Sequence, residues 1–135
     1  MGTSCLFRVE GTDAAIYQHY DGDPQTVLPW LLPFSTAFFA ARGHDPQYFL
    51  AQCLFAAKFA TAPYTEPTPT QHFNGWGVTA HEDSTPDVDY IYDFSGDGAC
   101  VISRTRPWRI TDPIPLDSWV DLDTVLTALS DESKG

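Results

Sequence analysis

The feature that most constrains this chain is a change of hydrophobic period partway along it. From Gln25 to about Arg42 the residues Val27, Leu28, Leu31, Leu32, Phe34, Phe38 and Phe39 recur near helical spacing. Pro29 and Pro33 fall inside the run, which predicts a kinked or loose start. Gly43 ends this helix, and Asp45-Pro46 begins a second that reaches about Thr61 and carries Tyr48, Phe49, Cys53, Leu54, Phe55, Ala56 and Phe59. It is apolar over much of its circumference, so it is expected to pack on both a sheet and the first helix.

Beyond the Pro- and Thr-rich connector at 62–71 the period becomes two. Segments 73–81, 88–94 and 99–106 read as three sequential antiparallel strands joined by turns at EDSTPD and SGDG. In the middle one Val88, Tyr90, Tyr92 and Phe94 face one way and Asp89, Ile91 and Asp93 the other, one face buried and one acidic. Residues 5–20 read as a hairpin with an EGTD turn, followed by Asp21-Gly22-Asp23-Pro24, in which Asp23 caps the first helix. Asp121 or Asp123 caps a closing helix. The expected architecture is a single α+β domain over 1–135: an antiparallel sheet of about five strands, two consecutive helices on one face and a short C-terminal helix.

Charge narrows the function. Eighteen Asp and Glu stand against seven Lys and Arg, a formal net charge of -11. Such a field repels phosphate backbones, so nucleic acid is not an expected partner; cations, or a basic groove on another protein, are. Three cysteines, Cys5, Cys53 and Cys100, form neither a disulfide framework nor a zinc spacing. The first residues lack a secretory signal, and no run of about 18 apolar residues offers a membrane span. The expected compartment is the cytoplasm, with no membrane partner.

The densest chemical signal is DYIYDFSGDGAC, residues 89–100. Asp93, Ser95, Asp97 and Gly98 match the D-x-S-x-D-G pattern that folds backbone around calcium, where alternate oxygens and an inward carbonyl, here that of Ala99, supply hard ligands. Arg104 stands where an EF-hand places its bidentate Glu, so any further carboxylate must come from elsewhere. Asp87, Asp89, Glu82, Asp83, Asp21, Asp23, Asp121 and Asp123 are the available donors. Carboxylates this dense and free of bases repel one another by about 1 kcal/mol per close pair in water, a cost a bound cation relieves. As a plain hairpin turn SGDG needs no ion.

Other chemistry has thinner support. His19, His44, His72 and His81 lie in separate segments without zinc spacing. His19 and Asp21 are candidates for a base and its orienting acid, with Cys5, Cys53 or Cys100 as nucleophile, but no catalytic or phosphate-cradling motif accompanies them, and the expectation is a protein that is not an enzyme.

The run IYQHYDGDPQTVLPWLLPF, residues 16–34, resembles the opening of small bacterial, cyanobacterial and phage proteins with Y-x-H-x-D-G-x-P before an apolar helix. Together with the length, the acidity and the acidic hairpin, the chain is similar to the cyanobacterial calcium-binding proteins of the CcbP type. That resemblance implies a small α/β fold without an EF-hand that buffers calcium through an acidic surface in connection with heterocyst differentiation. The expected function is therefore calcium binding, for buffering or sensing. The alternative is an acidic interaction protein of phage or host-defence type that binds a basic partner by mimicking nucleic-acid charge.

Overall fold

The computed structural model describes residues 3–61, 76–80, 88–104, 110–116 and 121–134. In chain order the elements are β1 (Cys5–Val9), β2 (Ala14–Gln18), α1 (Pro24–Arg42), α2 (Pro46–Thr61), β3 (Trp76–Ala80), β4 (Tyr90–Phe94), β5 (Cys100–Arg104) and α3 (Leu122–Lys134). The fold is α+β, with a five-stranded sheet in the order β3-β2-β1-β4-β5.

The sheet is mixed rather than purely antiparallel. Strands β1 and β4 run parallel, from Cys5↔Tyr90 to Val9↔Phe94, and every other pair is antiparallel. The three later strands are thus not sequential neighbours: β3 pairs with β2 at one edge, while β4 and β5 form a hairpin on the far side of β1. Burial explains the arrangement. Strand β1 buries Leu6 as well as Phe7, and β4 buries Ile91 as well as Tyr92, so both are apolar on two faces and belong inside the sheet. Strand β3, with Gly77 and a Val78 that is 66% exposed, suits an edge.

One face of the sheet carries the main core. Phe7, Val9, Ile16, Tyr92, Phe94 and Ile102 meet Val27, Leu28, Leu31, Leu32, Phe38 and Phe39 of α1 and Phe49, Leu50 and Cys53 of α2. The opposite face is not simply acidic, as alternation predicts for β4. Leu6, Ala15, Val88 and Ile91 form a second, smaller apolar cluster there, and Asp93 is matched by Arg8. Val88 joins Ile91 because regular alternation begins only at Tyr90: the N–H groups of Asp89 and Tyr90 both donate to the Ser4 carbonyl, an irregularity of the β-bulge type.

Helix α1 begins as its sequence requires, with Asp23 accepting from Thr26 N at 3.2 Å and Pro24 in the first turn. It runs unbroken through Pro29 and Pro33, contrary to the expected loose start. Both prolines lie on the solvent side, where water reaches the carbonyls that lose their partners. Gly43, at φ 68°, closes the helix with its N–H on Phe39 O. Helix α2 does pack on α1 and the sheet, yet of its apolar residues Tyr48, Phe55 and Phe59 remain exposed. Helix α3 is capped by Asp121, which accepts from Thr124 Oγ1 at 2.6 Å and Thr124 N at 3.3 Å.

Phe49 is the junction of the core. It is fully buried, and its ring lies 5.0 to 5.5 Å from those of Phe34, Phe38, Phe39 and Phe94, joining both long helices to β4. Replacing it by Ala removes this junction and leaves a cavity, so Phe49→Ala is expected to lower unfolding free energy by about 3–5 kcal/mol, read as a fall in the urea midpoint.

Candidate binding crevice

Adjacent parallel strands whose chains leave in opposite directions open a crevice at their carboxyl ends, the place where open sheets commonly bind ligands. Strands β1 and β4 have this relation: β1 turns outward into β2, and β4 turns the other way into β5. The space between the two turns is an open cavity of about 650 Å³, lined by Arg8, Glu10, Gly11, Thr12 and Asp13 on one side and by Asp93, Ser95, Ala99 and Val101 on the other, with Pro113.

The floor is a bidentate ion pair. Arg8 and Asp93 face each other in the parallel register, and Arg8 Nε and Nη2 donate to Asp93 Oδ1 and Oδ2 at 2.6 and 2.8 Å. Two parallel N–H···O bonds fix both the distance and the plane of the two groups, which a single surface ion pair does not. One wall is braced from three directions. Glu10 N donates to Phe94 O at 2.9 Å, Gly96 N donates to Glu10 Oε1 at 2.7 Å, and His44 Nε2–H donates to the Glu10 carbonyl at 2.5 Å. Glu10 thereby holds the EGTD turn, the SGDG turn and the α1–α2 junction together.

The SGDG segment is a closed hairpin loop. Ser95 N donates to Ala99 O and Gly98 N to Ser95 O, both at 2.9 Å, and Gly98 follows this turn at φ 91°. A Cβ at Gly98 would lie 2.7 Å from a Leu116 methyl carbon, so both conformation and space require glycine. Inside the loop Asp97 Oδ1 accepts from Ser95 Oγ and from Ala99 N. The hydrogen bond from Ser95, and then that from the Ala99 N–H, hold the Asp97 carboxyl below its ordinary range.

The residues singled out from the sequence are therefore divided. Asp93, Ser95 and Ala99 reach the crevice, but Asp93 is occupied by Arg8, and the Ala99 carbonyl accepts from Ser95 N rather than turning toward an ion. Asp97 serves the hairpin. Asp21 and Asp23 follow β2 and Asp89 precedes β4, which puts all three at the opposite end of the sheet; Asp23 caps α1, and Asp89 Oδ2 accepts from Ser4 N at 2.9 Å. Asp121 caps α3, with Asp123 in its first turn. Glu82, Asp83 and Asp87, like His72 and His81, lie outside the described residues. Among the described residues, no three His, Cys, Asp or Glu side chains converge as a metal-holding group.

What the sequence reading missed is Arg8, Glu10, Asp13 and His44. Glu10 and Asp13 were visible only as parts of a turn, and Arg8 meets Asp93 across 85 residues of chain. The three cysteines are buried and unpaired, and desolvation pushes each thiol upward, away from the thiolate a nucleophile needs. His19 is exposed, with its Nδ1 2.6 Å from the Tyr17 hydroxyl and its ring against Tyr20.

No family model, curated protein or solved structure matches the chain. Among the described residues, no helix is long and apolar enough to cross a membrane.

The lowered Asp97 pKa gives a pH test. A carboxyl depressed in the folded state contributes stability that is complete above the ordinary carboxylate range and is lost as pH falls through the folded value. The urea midpoint of the wild type is expected to exceed that of Asp97→Asn at neutral pH, and the gap to close in acid. A gap that persists unchanged into strong acid would exclude this source.

Proposed function

We propose that the protein is an interaction module that engages a basic partner protein, with the crevice between the EGTD and SGDG turns receiving a lysine or arginine side chain. The observation that carries this reading is the one-sided neutralisation of charge. Arg8 and Arg42 are committed to Asp93 and Asp45, while Arg104 and Lys58 lie over the rings of Tyr90 and Trp76. The exposed carboxylates of Glu10 and Asp13 stand at the crevice against the single guanidinium of Arg8, which Asp93 already neutralises. Carboxylates held on braced turns present negative charge without further ordering, the property a protein needs to occupy a groove built for a phosphate backbone. The working compartment in this reading is the cytoplasm, where the three unpaired thiols suit a reducing environment.

A specific observation favours calcium as a second reading. Asp93, Ser95 and Ala99, three of the four ligands expected from spacing, line the same crevice as Glu10 and Asp13, while the fourth, Asp97, does not. An ion there would have to draw Asp93 from Arg8 and gather the other oxygens around itself. The crevice is far larger than an ion requires, which ranks this reading below a basic side chain.

The two readings separate in one set of titrations. With an arginine-rich peptide as probe, binding is expected at low salt, to weaken steeply as salt rises, and to fall at least about tenfold in Glu10→Gln/Asp13→Asn, which is more than about 1.4 kcal/mol. Absence of binding at low salt, or binding indifferent to that pair of changes, removes the first reading. Saturable calcium heat in physiological salt, with magnesium far weaker, supports the second; no heat beyond dilution removes it.

A further inference from the structure

The crevice is not acidic throughout. On the face of the sheet turned away from the helices, the strand registers set Arg8 beside Asp93 and Asp93 beside Val101 of β5. Pro113 comes next, on a stretch of chain held against β5 by the paired N–H and carbonyl groups of Cys100 and Ile114 at 3.0 and 2.8 Å. Glu10 and Asp13 stand on the other side, on the turn that joins β1 to β2. One wall is therefore carboxylate, the neutralised Arg8–Asp93 pair lies between, and the far wall is aliphatic.

The volume of about 650 Å³ falls in the range of about 300–1,000 Å³ that takes whole small ligands. A single basic side chain on Glu10 and Asp13 leaves the wall of half-buried Val101 and exposed Pro113 open to water. Those two side chains offer no hydrogen bond, so a polar group placed against them gives up its water without a partner, and an aliphatic one does not. Charge draws a basic residue to the first wall whatever its neighbours are; the second wall is where partners are told apart.

The spacing of the walls limits how a partner spans them. Neighbouring strands lie about 4.8 Å apart, so β5 is about 10 Å from β1 across β4. In an extended segment alternate side chains point the same way and lie about 7 Å apart, and the long stem of a lysine or arginine covers the difference. We propose that the crevice receives an extended, amphipathic segment of the partner protein: a lysine or arginine on Glu10 and Asp13 and, two residues away, an aliphatic side chain on Val101 and Pro113. This rests on the crevice taking a basic partner, and adds the kind of segment it selects.

Fluorescence anisotropy of the full chain with three labelled peptides of equal charge tests it. They repeat Arg-Ser-Val-Ser, Arg-Val-Ser-Ser and Arg-Ser-Ser-Ser, so valine stands two residues from arginine only in the first. That peptide is expected to bind about fivefold more tightly than the other two, with the gap kept as rising salt weakens all three. Val101→Thr, which keeps the branched shape that suits a strand, is expected to bring the first peptide down toward the others. Equal binding of the three, each weakened by Glu10→Gln/Asp13→Asn, overturns the aliphatic wall and leaves the basic-partner reading standing. So does a preference for the first peptide that survives Val101→Thr. Binding of none at low salt, or binding indifferent to Glu10→Gln/Asp13→Asn, overturns both.

Discussion

The parallel pairing of β1 with β4 is the contact on which the rest of the structure depends. It joins two antiparallel hairpins, β1–β2 and β4–β5, that are separated in the chain by both long helices. Five residue pairs in register, from Cys5↔Tyr90 to Val9↔Phe94, put Phe7 beside Tyr92 with stacked rings and Arg8 beside Asp93. The first of these faces the helices and the second faces away, so one register serves the core on one side and the crevice on the other. A slip by one residue would exchange the two faces, burying Arg8 among aromatic rings. The bidentate geometry of Arg8 and Asp93 adds a directional term to that selection, because a fork of two donors fits a carboxylate at one position only. A second restraint comes from Tyr92, whose hydroxyl donates to Gly22 O at 2.7 Å and fastens the interior strand to the turn that starts α1.

The elements that were legible in the sequence are those whose signals are local. Asp23-Pro24 and Gly43 bound α1, Asp121 begins α3, and the alternating residues of β4 and β5 flank a glycine-containing turn, each decided within a few positions of chain. From these the α+β class and the number of strands followed. Strand order did not, because adjacency in the chain suggested that β3 should lie beside β4, whereas β4 needed two covered faces and β3 did not. Nor did periodicity distinguish the outward aromatic residues of α2 from the inward ones, since Phe49 and Phe55 are equally apolar as letters and differ only in what stands opposite them.

The candidate site shows the same division more sharply. The pattern D-x-S-x-D-G correctly marks a tight turn with positive-φ glycine and internal side-chain hydrogen bonds, but these features serve a hairpin as well as an ion loop. What distinguishes the two uses is the direction of the oxygens. Asp97 turns toward Ser95 Oγ and Ala99 N, the Ala99 carbonyl toward Ser95 N, and Asp93 toward Arg8. Ser95 belongs to the pattern itself, but the residue types fix neither which way its hydroxyl and the backbone groups turn nor that Arg8 stands 85 positions away to take Asp93. Glu10 was hidden for the opposite reason: nothing about an EGTD turn shows that its first residue will accept from Gly96 and its carbonyl from His44.

The distribution of charge follows from how few cations the chain has. An Arg8 left unpaired in its half-buried position would cost desolvation, and Asp93 without it would stand as one more carboxylate at an acidic crevice. Pairing them neutralises the floor and leaves Glu10 and Asp13 to set the sign at the rim. Elsewhere Arg42 joins the two helix ends through Asp45 and covers Tyr48, Lys58 covers Trp76, and Arg104 of β5 lies over Tyr90. Helix α2 therefore presents exposed aromatic residues, with the Arg42–Asp45 pair at the Tyr48 end, while the strand ends present carboxylates. The two surfaces are built from different elements, so salt that screens what the carboxylates of the strand ends attract leaves the apolar contacts open to the α2 aromatic residues unweakened.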